Sequence, residues 1–298
     1  MAFNVNALPA YVEENKGELI AKSVFGSTTV DYVTTQTGIK GKTAINLVDV
    51  DVTFQDGKSC GFSASGDDRF TQRYINPKHI KVDKEWCDKD LLGKYAQYEV
   101  VTAATGKKLP FEAVIMGSMV DGIKAGIEKQ LWQGFSGAVA GGEGEGLHSI
   151  IQNAGSPTTS GYDRTNAWAK LNEAYLKLPT VVLGKDDLVC YASVDFFEHL
   201  VLEMIEKNLY HYNPSDESGV INMPGTGVKV VRCEGMDVNE HAAVFARKSN
   251  IFYGLDLDGD ATDIDLWYSK DNKTFRATAE FVLGVQIAFP DEVSAIEI

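Results

Sequence analysis

Gly141-Gly142-Glu143-Gly144-Glu145-Gly146 has the composition of a loop that could cradle a phosphate, since successive backbone N–H groups in a glycine-rich turn can point at one anion. It lacks the Gly-Lys-Ser/Thr ending, and Glu143 and Glu145 would repel a phosphate, so a flexible turn is the preferred reading. Asp256, Asp258, Asp260, Asp263 and Asp265 suggest a calcium loop. Counted from Asp256, however, glycine falls at the fourth position and not the sixth, and Trp267 stands where a calcium loop needs its bidentate Glu. A solvated turn leading into a strand with Asp263 and Asp265 on its outer face is expected. His79, His148, His199, His211 and His241 belong to no HExxH, GxSxG or Cys/His nucleophile signature. An enzyme assembled from scattered residues would draw on Asp163, His199 and His241, which nothing in the sequence brings together. Cys60, Cys87, Cys190 and Cys233 form no CxxC pair and read as reduced thiols. Trp86, Trp132, Trp168 and Trp267 could stack nucleobases, but no basic residues are interleaved with them, so core or interface roles are expected. No catalytic, cofactor-binding or metal-binding residue is assigned, and no cofactor is expected.

Composition points the same way. The 298 residues, 44% hydrophobic and 23% charged, suit a globular chain of one or two domains. A net charge of −14, from 42 acidic against 28 basic residues without a basic cluster, argues against tight sequence-specific DNA binding. It would suit a wall that encloses nucleic acid without gripping it. With no signal-peptide pattern at the N-terminus and no run of 18 apolar residues, neither secretion nor a membrane span is expected.

The elements that would position any site change character along the chain. Residues 11 to 22 could form a short helix, and the Thr- and Gly-rich residues 24 to 43 read as an extended arm. Val48, Val50, Val52 and Phe54 alternate with Asp49, Asp51 and Thr53, the period of a half-buried strand, and Asp56-Gly57 signals a turn. With a return leg at Arg69 to Ile75 and His79 to Val82, this makes a long hairpin. A two-stranded hairpin is marginal alone, and neither the arm nor DKDLLGKY after it obviously covers it. The first ninety residues are therefore expected to pack on other subunits.

From Pro110, Ile115, Met119, Ile123, Ile127 and Leu131 recur every four residues, predicting a long helix that Gly134 and Gly137 end. Gly117, Gly122 and Gly126 each cost it about 1 kcal/mol, which suggests a closely approaching backbone. A short helix at Leu147 to Ile151 precedes a boundary at residues 152 to 162. Helices follow at Asp163 to Leu178 and at Val194 to Tyr210, the latter capped by Ser193, with strands Val181 to Leu183 and Leu188 to Ala192 between them. The last third reads as strands: Val220 to Met223, Val228 to Arg232, Ala243 to Ala246, Ile264 to Tyr268, and Thr274 to Phe289 with one apolar face.

This order of elements resembles the major capsid proteins of tailed phages, whose α+β Hong Kong 97-type fold is shared with encapsulin shells. The runs VINMPGTGVKVV (220 to 231), NIFYGLD (250 to 256) and FVLGVQI (281 to 287) look like the closing portion of such subunits. Leu8-Pro9-Ala10-Tyr11, Gln72-Arg73 and Cys87-Asp88-Lys89-Asp90-Leu91 are similar to capsid subunits of phages of gut bacteria. The resemblance implies an N-terminal arm (1–43), an extended loop (44–90), a peripheral domain (91–160 and 250–285) with a spine helix at about 110–132, and an axial domain (161–249 and 286–298). It also implies a non-enzymatic subunit that forms pentamers and hexamers of itself in an icosahedral shell around double-stranded DNA. The shell is the virion capsid, assembled in the host bacterial cytoplasm, with portal, scaffold or cement proteins as further partners and no membrane. In the family the extended loop lies over a neighbouring subunit. Some members begin with a cleaved scaffolding segment; here the arm begins near Met1, implying a separate scaffold or none. Lys58 could donate a cross-link, but no motif identifies a partner and none is predicted. The alternative is an encapsulin-like compartment, which needs a cargo-peptide pocket near the arm and spine helix.

Overall fold

Apolar residues four apart drive the longest helix. The computed structural model describes residues 27–50, 52–56, 61–62, 65–87, 111–209, 219–256 and 264–298, and in it Phe111–Gln133 form α1. Met116, Met119, Val120, Ile123, Ile127 and Leu131 are buried along it, the face that the spacing predicts. Gly134 ends it in the left-handed region (φ 71°), its N–H donating to the Gln130 carbonyl at 2.9 Å. The glycines inside α1 are a correction: a Cβ at Gly117, Gly122 or Gly126 would meet nothing within 4 Å, so no described backbone approaches them. The close approach is made at Gly235 instead, where a Cβ would lie 2.1 Å from the Glu128 carbonyl oxygen.

Strand β12 (Thr274–Ile287) organises one sheet. Phe275, Ala277, Ala279, Phe281, Leu283, Val285 and Ile287 are buried on the face that alternation predicts. It pairs antiparallel with β4 (Lys78–Cys87), β10 (Ile251–Leu255) and β11 (Ile264–Ser269), and β1 (Thr34–Gln36) runs parallel to β10. The second sheet has the order β5-β13-β9-β6-β8-β7, from Thr158–Thr159, Ser294–Ile296, Ala243–Arg247, Leu188–Ser193, Lys229–Cys233 and Val220–Asn222. Its side chains alternate between two cores. Val189, Tyr191, Val231, Val244 and Ala246 join α1, β12 and α2 (Leu147–Ala154). Leu188, Cys190, Ala192, Val230 and Phe245 join α3 (Ala167–Leu176) and α4 (Val194–Glu206) on the other side.

Local signals explain where helices begin and end. Ser193 caps α4 as expected, its hydroxyl accepting from Phe196 N at 3.3 Å. Helix α3 starts four residues later than predicted because Asp163 Oδ1 accepts from Thr165 N at 2.7 Å, turning the chain before Ala167. Val181 to Leu183 are not a strand. Val182 N donates to the Pro179 carbonyl at 2.9 Å and Gly184 is left-handed (φ 81°), so this β-branched run is a turn.

The hairpin needs the largest correction. Strands β2 (Thr43–Asp49) and β3 (Arg69–Ile75) pair as predicted, from Thr43 opposite Ile75 to Asp49 opposite Arg69. His79 to Val82, however, belong to β4, which leaves the hairpin and runs along β12 from Lys78 opposite Leu283 to Cys87 opposite Thr274. The hairpin base is also covered by its own chain, since Ile45, Leu47 and Ile75 pack with Ile39, Ala288, Phe252 and Phe289. Arm residues Val30 and Val33 are likewise buried in the α1 core. The first ninety residues thus do not depend wholly on other subunits. Residues 11 to 22, Gly57, Lys58, Cys60, Pro110, His211, the DKDLLGKY segment and residues 257 to 263 of the aspartate-rich loop lie outside the described residues.

Candidate assembly surface

Beyond its base the hairpin turns an apolar face to solvent. Val48 is directly opposite Phe70, and the two are 54% and 75% exposed. Val50, Val52, Phe54 and Phe62 continue this apolar, exposed stretch, Phe54 and Phe62 at 97%. The Val48-to-Phe54 run reads as a half-buried strand, but β2 ends at Asp49 and Val48, Val50, Val52 and Phe54 are all exposed, while Ile45 and Leu47 on the opposite face of β2 are buried. Large exposed apolar side chains concentrated in this way mark an interaction surface.

A second uncovered surface lies between α1 and β4. It is a groove of about 690 Å³ lined by Ile80, Val82, Trp86, Met119, Ile123 and Phe281, with Lys81 and Lys84 also contributing. Gly122 and Gly126 border it, which explains why nothing meets a Cβ there. Its lining is mainly apolar, and the residues that line it form no catalytic constellation.

Buried polar groups hold these surfaces in place. Glu128 on α1 is 4% exposed; it accepts from Thr29 N at 3.2 Å and from the Thr29 hydroxyl, which in turn accepts from Trp132 Nε1 at 3.0 Å. This ties the arm to the helix. Burial pushes the Glu128 carboxyl up, against the hydrogen bonds from Thr29 that lower it. An acid raised in the folded state costs stability as pH rises above the unfolded pKa. Glu128→Gln is therefore expected to gain stability relative to the native chain between pH 4 and 7, by at most about 1.4 kcal/mol per pH unit. Urea midpoints at the two pH values check this, and a Glu128→Gln variant that loses stability relative to the native chain as pH rises would contradict it.

The sequence candidates for chemistry do not converge. Glu145 closes the glycine-rich turn on itself, accepting from Gly141 N at 2.7 Å and from the Ser149 hydroxyl at 2.8 Å. Asp163 is engaged by Thr165, His199 lies 3.7 Å from Asp195, and His241 stacks on His148. Trp132 is core, whereas Trp267 is 44% exposed. Cys190 and Cys233 are buried free thiols, and Cys87 is exposed and free. Among the described residues no three His, Cys, Asp or Glu side chains gather as a metal site, and no helix is long and apolar enough to cross a membrane. The histidine pair is what sequence reasoning missed: its members are 93 positions apart and share no motif.

No protein-family model matches the sequence, and no curated protein matches it. Solved structures do match in fold. A chain of the satellite phage P4 procapsid including size determination protein superposes with a TM-score of 0.63 at 8% identity, over 95% of this chain and 90% of that one. A chain of Gordonia phage Cozz gives 0.61 at 12% identity, over 91% and 86%. A chain from the capsid of an empty GTA particle gives 0.58 at 9% identity, over 91% and 90%. The chain thus has the α+β Hong Kong 97-type fold that its element order suggested.

Proposed function

We propose that this chain is the major capsid subunit of a tailed phage, forming pentamers and hexamers in an icosahedral shell around double-stranded DNA. The observation that carries the reading is the exposed apolar hairpin face, Val48, Val50, Val52, Phe54 and Phe70, on a chain with this fold. Covering that face on a neighbouring copy completes the packing that a single chain leaves open, and obligate interfaces of about 2,000 Å² or more would distribute the shell's stability. The role is mechanical, not enzymatic. In this reading residues 1–43 are the arm, 44–90 the extended loop, 91–160 with 250–285 the peripheral domain, and 161–249 with 286–298 the axial domain. The hairpin base packing on Ile39 and Ala288 fits a loop hinged on its own body and covered distally by another. The net charge of −14 lets enclosed DNA slide. Assembly would take place in the host cytoplasm, with portal, scaffold or cement proteins joining the virion.

The groove beside α1 supports a second reading, an encapsulin-like compartment, because an apolar cleft along the spine helix could seat a cargo peptide. The contents of purified particles separate the two. Co-purifying nuclease-protected DNA supports the virion; a stoichiometric co-purified protein with no protected DNA supports the compartment.

A further inference from the structure

The rings of His148 and His241 are 2% and 3% exposed, nearly parallel at 13°, with centroids 4.8 Å apart and their Nδ1 atoms 2.7 Å apart. Their neighbours fix the protons. Asp237 N donates to His148 Nε2 at 3.4 Å, so that nitrogen is an acceptor and His148 carries its hydrogen on Nδ1. His148 Nδ1–H then donates to His241 Nδ1, which leaves the hydrogen of His241 on Nε2. Nε2 has no hydrogen-bond partner, and the nearest carboxylate oxygen, Glu297 Oε1, is 3.9 Å away.

The chain of bonds is complete only while both rings are neutral. A proton on His148 Nε2 would face the Asp237 N–H, and a proton on His241 Nδ1 would face the His148 Nδ1–H. Either addition sets two donors against each other in a buried site. The pair also stands where separate parts meet. His148 is in the first turn of α2, whose Leu147, Ile150 and Ile151 belong to the α1 core. His241 ends the 237–241 turn and precedes Ala242 and Ala243 of the other core, and Ala242 N holds the Ile296 carbonyl at 2.7 Å. Trp132 of α1 lies against His148, ring centroids 5.4 Å apart.

We infer that the His148–His241 pair is an acid-triggered latch that fastens α2 to the 237–241 turn and the chain end, and opens when the rings take up protons. The charged groups around it are Asp237 and Glu240 on the turn and Glu297 at the chain end; α2 adds no other charge, and Glu128 of α1 is engaged by Thr29. Burial holds His148 at about 3 and His241 at about 4 in the closed state, with each group's ordinary value 6.5. Both are depressed, so the closed state is fully favoured above pH 6.5 and loses ground as pH falls towards 4. Two protons give an opening equilibrium that rises by at most about 100-fold per pH unit in that window. Glu297, 3.9 Å from His241 Nε2, favours the charged ring in the closed state and so opposes opening, and Glu297→Gln should shift opening to higher pH.

The test is site-resolved exchange of the histidine C2 protons by mass spectrometry on the full chain, with backbone amide protection followed from pH 7 to 4. Expected are titrations of His148 and His241 below pH 5. Protection of α2 and of residues 237 to 242 should fall by tens to 100-fold per pH unit, and much less in His148→Gln/His241→Gln. Should that double variant not fold, the native titrations and the Glu297→Gln shift decide. Rings that titrate near 6.5 in the folded chain, or protection independent of pH, would overturn the latch.

Discussion

Replacing Val48, Val50 and Phe70 together by threonine is expected to leave a folded subunit that no longer assembles. The three side chains are 54%, 55% and 75% exposed in the single chain, so each substitution should change subunit stability by no more than about 0.5 kcal/mol. Threonine keeps the β preference that holds β2 on β3. In a shell the same side chains would be buried against another copy, where each contributes about 1.5 to 3 kcal/mol. Losing three weakens each contact on the order of a thousandfold or more. Sedimentation velocity reads the outcome directly: native chain as large particles, variant as a slow species with unchanged circular dichroism. Particles of native size from the variant would remove the hairpin face from the interface.

Trp132→Ala should produce the largest loss of subunit stability, about 3 to 5 kcal/mol, a large part of the 5 to 15 kcal/mol typical of a domain. Trp132 is fully buried, packs against Tyr191 and His148 with centroids 5.5 and 5.4 Å away, and donates to Thr29 Oγ1. Its removal opens a cavity between α1 and the six-stranded sheet and loosens the Thr29 hydroxyl that Glu128 holds. Trp132→Phe retains much of the volume and should cost about half as much or less. Urea unfolding in the threonine background, where assembly does not contribute, gives both numbers. A loss below 1 kcal/mol for Trp132→Ala would mean that the arm and α1 are not joined through this residue.

How much of this was legible depended on the range of the interaction. Met119, Ile123, Ile127 and Leu131 revealed α1 because helical packing repeats within a few residues, and Phe275 to Ile287 revealed β12 by strict alternation. Ser193 announced α4 through a bond three residues long. Period does not identify a partner. His79 to Val82 read as a strand of the hairpin, yet they belong to Lys78–Cys87, whose pairing with residues about 200 positions later has no local signal. Gly117, Gly122 and Gly126 suggest a close backbone because helix glycines often permit one, but among the described residues nothing approaches them, and Gly122 and Gly126 border a groove. Val181 to Leu183 look like a strand by residue type, but Pro179 and Gly184 impose a turn. Val48 to Phe54 carried the candidate site most clearly: their period was visible in sequence, and only the structure shows that no described residue covers them. His148 and His241 meet only because α2 and the 237–241 turn fold together, which no spacing encodes.

Assembly itself is the central claim, and negative-stain electron microscopy of the native protein expressed alone, with a mass determination in parallel, tests it most directly. Closed shells, tubes, or free pentamers and hexamers are the predicted result. A monodisperse monomer at high concentration, with the amides of Thr43–Asp49 and Arg69–Ile75 already protected from exchange, would contradict it.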